Sequence, residues 1–217
     1  MRRAPTNVNM APVRRCARPR LMGVSSSPLA RWGGVAACLG VISYGAWGYF
    51  SDNPDTPRLV IDAVLPLLKL ATPALFLGGL VGLHSWVGSG LGERGVSNLE
   101  RAGVAVGSFG SVVGLLSTVV GEDNGVDLWA TLPHLGGWLT LLYTGLTVVG
   151  VAAHLKDAPR LLGALVLASG TLGWASLLTD RDSSGVLVPM GSLHVAFAAS
   201  FCLSWVMWGG VLFRAAS

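Results

Sequence analysis

An all-α, polytopic membrane bundle of six helices is the fold that three observations predict. Of 217 residues, 52% are hydrophobic and only 12% charged, with mean hydropathy +0.60. A soluble globular domain carries about 25% charged residues. The charges are also bunched between uncharged runs. As helices, those runs are long enough to cross a hydrocarbon core about 30 Å thick. Finally, the basic residues alternate from one set of connections to the other, as they do when cytoplasmic loops retain Lys and Arg.

The predicted spans are residues 33–50, 59–83, 102–121, 128–153, 161–179 and 194–213. On one side lie Arg2, Arg3, Arg14, Arg15, Arg18, Arg20, Arg31, Arg94, Arg101, Lys156, Arg160 and Arg214, twelve basic residues; on the other lie only Arg58 and Arg181. Lys69 alone falls inside a span. Both termini are therefore expected in the cytoplasm, N-in/C-in. Asp52, Asp55, Glu122, Asp123, Asp127, Asp180 and Asp182 gather on the outer side. Trp32, Trp86 and Trp208 fall near inner ends and Trp47 and Trp129 near outer ends, where amphipathic rings settle at the membrane interface.

Two units follow: residues 1–30, a basic, acid-free, proline-interrupted tail expected to be disordered on the cytoplasmic side, and residues 31–217, the transmembrane domain. Met22 is an alternative start within the tail. The basic balance, with pI near 9.3, is explained by loop topology, so no nucleic-acid partner is expected. Cys16, Cys38 and Cys202 are widely spaced and form neither a disulfide framework nor a thiolate zinc motif. The expected partner is the lipid bilayer, and the expected location the cell membrane, in a bacterium its cytoplasmic membrane.

The first span opens with RWGGVAACLG, residues 31–40. This stretch resembles the first-span openings of uncharacterised multi-span membrane proteins from GC-rich bacteria. The resemblance covers one helix and implies a membrane helix, with no activity and no site residues. The third span carries small residues at Gly103, Gly107, Gly110, Gly114, Ser117 and Gly121, alternately four and three apart. That spacing keeps them on one face and lets backbones approach closely. Tight packing within the bundle is one reading; a homo-oligomer seam through this glycine-rich third helix is the other. Arg31, Asp52 and His84 recur as Arg101, Glu122 and His154, each 70 residues later, as a duplicated hairpin would produce.

The second span carries the candidate site. DAVLPLLKLATPAL, residues 62–75, places a charge and then a proline twice: Asp62 with Pro66, and Lys69 with Pro73. At about 100° per residue, Asp62, Pro66, Lys69, Pro73, Phe76, Leu80 and His84 form one stripe. Each proline removes the amide that would bond to the residue four earlier, which frees the carbonyls of Asp62 and Lys69. Freed carbonyls beside charges are a recurring basis of ion and substrate sites in membranes. A structural Asp62–Lys69 ion pair would account for the same residues, since Lys69 leans toward its own N-terminus. In the fourth span, Gly137, Thr140, Thr144 and Thr147 share a face, and Thr140 and Thr144 are candidates to share a polar cavity with the second span.

Three functions fit. One is a small permease or proton-coupled carrier subunit acting through Asp62, Pro66, Lys69, Pro73, Thr140 and Thr144, with no cofactor. Another is a non-transporting structural or regulatory membrane protein. The third is a haem redox protein: His84 and His154 at inner ends, and His134 and His194 near outer ends, could ligate haem b or a metal. The motifs of serine hydrolases, zinc proteases, P-loops and dinucleotide sites do not occur in the chain.

Overall fold

The computed structural model describes residues 28–87, 94–120, 137–155, 160–179 and 191–215. It contains six helices: α1 (Pro28–Asp52), α2 (Leu65–Val87) preceded by a π-helical turn (Val60–Val64), α3 (Arg94–Val120), α4 (Gly137–Leu155), α5 (Arg160–Thr179) and α6 (Gly191–Ala215). Among the described residues there is no strand. The expected tail, apart from its last residues Pro28, Leu29 and Ala30 at the start of α1, lies outside the described residues, as does the stretch 128–136 expected to open the fourth span. All helices other than α1 are long and apolar enough to cross a membrane. α1 is equally long, at 25 residues, but its five glycines together with Trp32, Tyr44, Trp47 and Tyr49 lower its mean hydropathy.

Pro28 opens α1 at a position where a missing amide costs nothing. The connection to α2 is short and internally bonded. The Asn53 side chain accepts from the Asp55 amide at 3.0 Å, and the Thr56 hydroxyl donates to the Phe50 carbonyl at 3.0 Å, satisfying an orphan carbonyl at the end of α1. The π-turn follows from Pro66. With no amide there, the Asp62 carbonyl loses its α-helical donor, and the chain widens so that the Leu65 amide bonds to the Val60 carbonyl. Gly137 begins α4 with φ of 58°, a conformation that favours glycine.

The helices form a ring in chain order, each on its predecessor, with α6 returning to α1. Glycines set the closest crossings. On α1 and α2, Gly33 and Gly82 meet backbone to backbone. On α3, Gly103 and Gly107 receive Gly145 of α4, and Gly110 takes the α4 backbone at Trp138 and Leu142. The glycine face of α3 is thus consumed inside the chain. Close packing within the chain therefore engages this face.

Inside the ring stands a column of rings: Phe76, Tyr143, Phe201, Trp205 and Trp208, each at most 1% exposed. Phe76 and Trp205 have centroids 4.7 Å apart, Trp205 and Trp208 4.8 Å, and Tyr143 and Phe201 5.1 Å, all tilted or edge-on. Hydroxyl pairs tie neighbouring helices beside the column. Ser43 of α1 meets Thr72 of α2 at 2.9 Å, and Ser169 of α5 meets Ser204 of α6 at 2.8 Å. In each pair one hydroxyl donates to the other, and the accepting one has a carbonyl in reach for its own proton, Leu68 in the first pair and Leu165 or Phe201 in the second, so no hydroxyl is left unpaired.

Candidate functional site: a one-ended mouth

The inward face of α2 is defined by its buried side chains. Thr72, Phe76, Leu80 and Leu83 are each 0% exposed, and Pro73 is buried with them. Lys69 precedes Thr72 by three residues, Pro73 by four and Phe76 by seven, so it belongs to the same face. Yet Lys69 is exposed, while Leu67 and Ala74 occupy the outward face. An inward residue becomes accessible only where the ring has opened.

Two other helices open at the same end. On α1, Gly48 follows Ala37 (0% exposed) by eleven residues and Val41 (5%) by seven, again on the inward face. A Cβ at Gly48 would meet nothing within 4 Å. On α6, Ala198 precedes the fully buried Trp205 by seven residues and is only half-buried. The C-terminal end of α1, the N-terminal end of α2 and the N-terminal end of α6 therefore form the less closely packed end of the ring, here termed the mouth. Below it the ring is closed by a buried aromatic floor: half-buried Tyr44 lies 6.1 Å from Phe76 and 6.0 Å from Phe201, both at most 1% exposed, with Trp47 edge-on to Tyr44 at 6.1 Å. Tyr44 and Tyr143 approach each other across the bundle, and both rings pack on Phe201, at 6.0 and 5.1 Å. Seven residues of helix set Lys69 about 10 Å above Phe76. Beside Lys69, the Ser43–Thr72 pair fixes α1 against α2.

The residues expected at the site separate into three groups. Lys69 is in the mouth wall, and Pro73 lies one turn deeper, against the same space as Gly114 of α3 and Trp138 of α4. Asp62 and Pro66 are exposed nearer the end, in and just after the π-turn. The Asp62–Lys69 ion pair does not form, and neither side chain has an ion-pair or hydrogen-bond partner among the described residues. They are two turns apart, about 10 Å along the axis, and the wide turn breaks the register the heptad spacing implied.

Among the described residues, no hydrogen bond joins Thr140 or Thr144 to α2. Their neighbour Thr147 packs directly on Gly170 of α5, and the Thr144 hydroxyl bonds the Thr140 carbonyl at 2.7 Å. The α4 side chain that does reach α2 is Trp138, 6.2 Å from Phe76. Thr140 keeps a buried hydroxyl with no hydrogen-bond partner, as do the indole nitrogens of Trp205 and Trp208.

At the opposite end, His84 of α2 contacts Glu100 of α3, Nδ1 to Oε1 at 3.2 Å. Glu100 is 1% exposed, whereas the His84 side chain is 44% exposed. Sequence reasoning missed Glu100 by starting the third span two residues too late. The signal was there: Glu100 continues the Gly103, Gly107, Gly110, Gly114 stripe inward by three residues. His84→Ala should destabilise the bundle by about 1–3 kcal/mol by removing one contact of a buried carboxylate, read as a lowered melting temperature in detergent.

As for the haem and metal candidates, His84 is engaged by Glu100, and His154 is exposed at the end of α4. His134, Glu122 and Asp123, and the side chain of His194, lie outside the described residues. Among the described residues no three His, Cys, Asp or Glu side chains cluster as a metal site. Comparison with known proteins finds no matching family, no similar curated protein and no similar solved structure.

Proposed function

We propose that the chain is a six-span integral membrane protein, N-in/C-in, that acts as a small permease or proton-coupled carrier subunit. Placement in a bilayer is supported by the five long apolar helices and by outward residues such as Leu67, Phe109, Leu116, Val119 and Leu203, which are 53–71% exposed. The sixth span is α1. No charge lies between Arg31 and Asp52, and α1 packs in the ring between α2 and α6. In a bacterium this membrane is the cytoplasmic one. With both termini inside, the mouth opens outward.

The observation that carries the reading is Lys69: an accessible cation on the inward face of a membrane helix, above a closed aromatic floor. An ammonium facing lipid at such depth would cost roughly 3 kcal/mol. In a water-filled mouth it stays solvated and available to a solute. A carrier caught open on one side has this form, with a recess ending at the midplane and dense packing beyond.

Accessibility and flux test it together. In a background lacking Cys16, Cys38 and Cys202, a membrane-impermeant thiol reagent added outside should label Lys69→Cys and Gly48→Cys, and leave Leu83→Cys unlabelled. In proteoliposomes containing a pH dye, a panel of small carboxylates, amines, sugars and phosphate should include a solute that drives proton movement. Lys69→Ala should abolish that movement in protein that still folds. Folded wild-type protein without flux for any panel member, or Lys69→Ala with full flux, sinks the carrier.

The packed half beyond the floor favours a second reading. Leu80, Leu83, Trp208 and Leu212 are each 0% exposed, so the centre of that half is closed by apolar side chains. A non-transporting regulatory protein would use the mouth to bind and never pass a solute. Labelling as above without flux is its signature.

A further inference from the structure

We propose that the inner end of the α1–α6 seam is a docking surface for an anionic phospholipid, its phosphate on Arg31 and Arg214 and its acyl chain along the exposed face of α6. This rests on placement in a bilayer with both termini inside, and it holds whether or not the protein transports a solute.

The seam itself places Arg31. Gly34 of α1 sits against the α6 backbone: a Cβ there would stand 2.5 Å from the Gly209 carbonyl oxygen and 2.9 Å from the Phe213 amide nitrogen. One turn further along, the Cys38 thiol donates to the Val206 carbonyl at 3.8 Å. Arg31, Gly34 and Cys38 are three and four residues apart, so they share the face of α1 that meets α6, and Arg31 is its inner tip. The Arg31 guanidinium stands over the Phe213 ring, 5.0 Å from its centroid, as a cation–π contact. Among the described residues Arg31 makes no ion pair or hydrogen bond. The ring holds the guanidinium in place, and the N–H fork that matches a phosphate stays unspent. Arg214 follows Phe213 in the last turn of α6 and is exposed, so two cations come to one ring.

Charge at this end has one sign. Among the described residues its exposed charged side chains are Arg31, Arg101, Arg160 and Arg214, and the carboxylate there, Glu100, is buried. Anionic lipids of the cytoplasmic leaflet are drawn to such a rim. An acidic protein would be too, but the surroundings of Arg31 and Arg214 suit lipid. Trp32, beside Arg31, is 70% exposed, as an indole at headgroup level would be. On α6, Leu203, Val206, Met207 and Phe213 are all exposed and share one face with Arg214. Gly210 falls in that stripe one turn before Arg214, and a Cβ there would meet nothing within 4 Å. A hydrocarbon chain has a continuous apolar track here, notched at Gly210, directly below two cations for its headgroup.

The test uses the full chain in phosphatidylcholine vesicles doped with phosphatidylglycerol or phosphatidylcholine carrying brominated acyl chains, which quench nearby tryptophans. The Trp32 contribution is isolated by difference from Trp32→Phe. Brominated phosphatidylglycerol should quench Trp32 at a lower mole fraction than brominated phosphatidylcholine. Arg31→Gln and Arg214→Gln should each reduce that preference about fivefold, the attraction of one arginine. Both sites are exposed, so these variants should fold. Phe213→Leu keeps both charges yet should reduce the preference about two- to fivefold, since the ring that places Arg31 is gone. Arg101→Gln should leave it unchanged, because α3 packs on neither α1 nor α6.

Equal quenching by the two lipids overturns the proposal, as does an unchanged preference in folded Arg31→Gln. A loss in Arg101→Gln as large as in Arg31→Gln also overturns it, because the leaflet is then attracted by the whole rim. Protein stripped from the vesicles by alkaline carbonate removes the bilayer reading and this one together. Protein that stays inserted without a lipid preference removes this one alone.

Discussion

Gly145→Ala is expected to prevent recovery of a folded bundle, although it adds only one methyl group. A Cβ at Gly145 would stand 2.5 Å from the Gly103 carbonyl oxygen and the Gly107 amide nitrogen, and 2.7 Å from the Gly107 Cα. All three atoms are backbone, so no side chain can swing aside. The α3–α4 crossing would have to widen along its whole length, and with it the contacts of Gly110 on Trp138 and Leu142. Ordinary overpacking costs about 1–3 kcal/mol where side chains yield; a crossing fixed by backbone on both sides should exceed that. In lipid the loss is not offset by a hydrophobic drive to reassociate, because helix association there depends on van der Waals contact and hydrogen bonds. Size-exclusion profiles and melting in detergent read the result. Gly210→Ala is the control. A Cβ there meets nothing within 4 Å, and alanine's higher helix propensity should leave the protein unchanged or more stable by up to about 1 kcal/mol.

Trp205→Ala should be nearly as damaging by the opposite route. Trp205 is 0% exposed and touches Phe76, Phe201 and Trp208, so its removal empties the middle of the aromatic column. Large-to-small changes of this kind cost about 3–5 kcal/mol. Its indole nitrogen has no hydrogen-bond partner, so the loss is one of packing alone. Trp205→Phe should therefore recover a good part of it. Trp32→Ala, at a position 70% exposed, should stay within about 0.5 kcal/mol of wild type in the same melt.

How much of this was legible depends on the range of the signal. Helix positions were, because hydrophobic runs and charge alternation are local properties. The α1, α5 and α6 boundaries fall within a few residues of those expected, and α3 starts earlier because Arg94 and Glu100 were assigned to a loop. The glycine face of α3 was legible as a close contact, but not its partner, since the same spacing serves a neighbour within the chain or a second copy. The stripe on α2 was legible as a face. Its interruption by a π-turn was not, because heptad arithmetic assumes an unbroken 3.6-residue period, which Pro66 does not permit. The polar face of α4 was legible, but not its neighbour: a helical wheel says which residues share a face, never which helix that face meets. The Tyr44–Tyr143 contact joins residues 99 apart, and nothing in either residue's local sequence announces it.

The meeting of Gly33 with Gly82 gives the mouth a mechanical property. It lies at the tightly packed end of the ring, and Lys69 lies thirteen residues along α2 from it, toward the open end. Two glycine backbones in contact carry no side chains to lock their angle, so the crossing is a fulcrum and the rest of α2 is its arm. At 1.5 Å per residue that arm is about 20 Å long, and a rotation of about 10° at the fulcrum swings Lys69 by about 3.5 Å. The Ser43–Thr72 hydroxyl pair lies partway along the arm, and Phe76, 4.7 Å from Trp205, sits beside it, so the swing is resisted by aromatic packing as well as by that one contact.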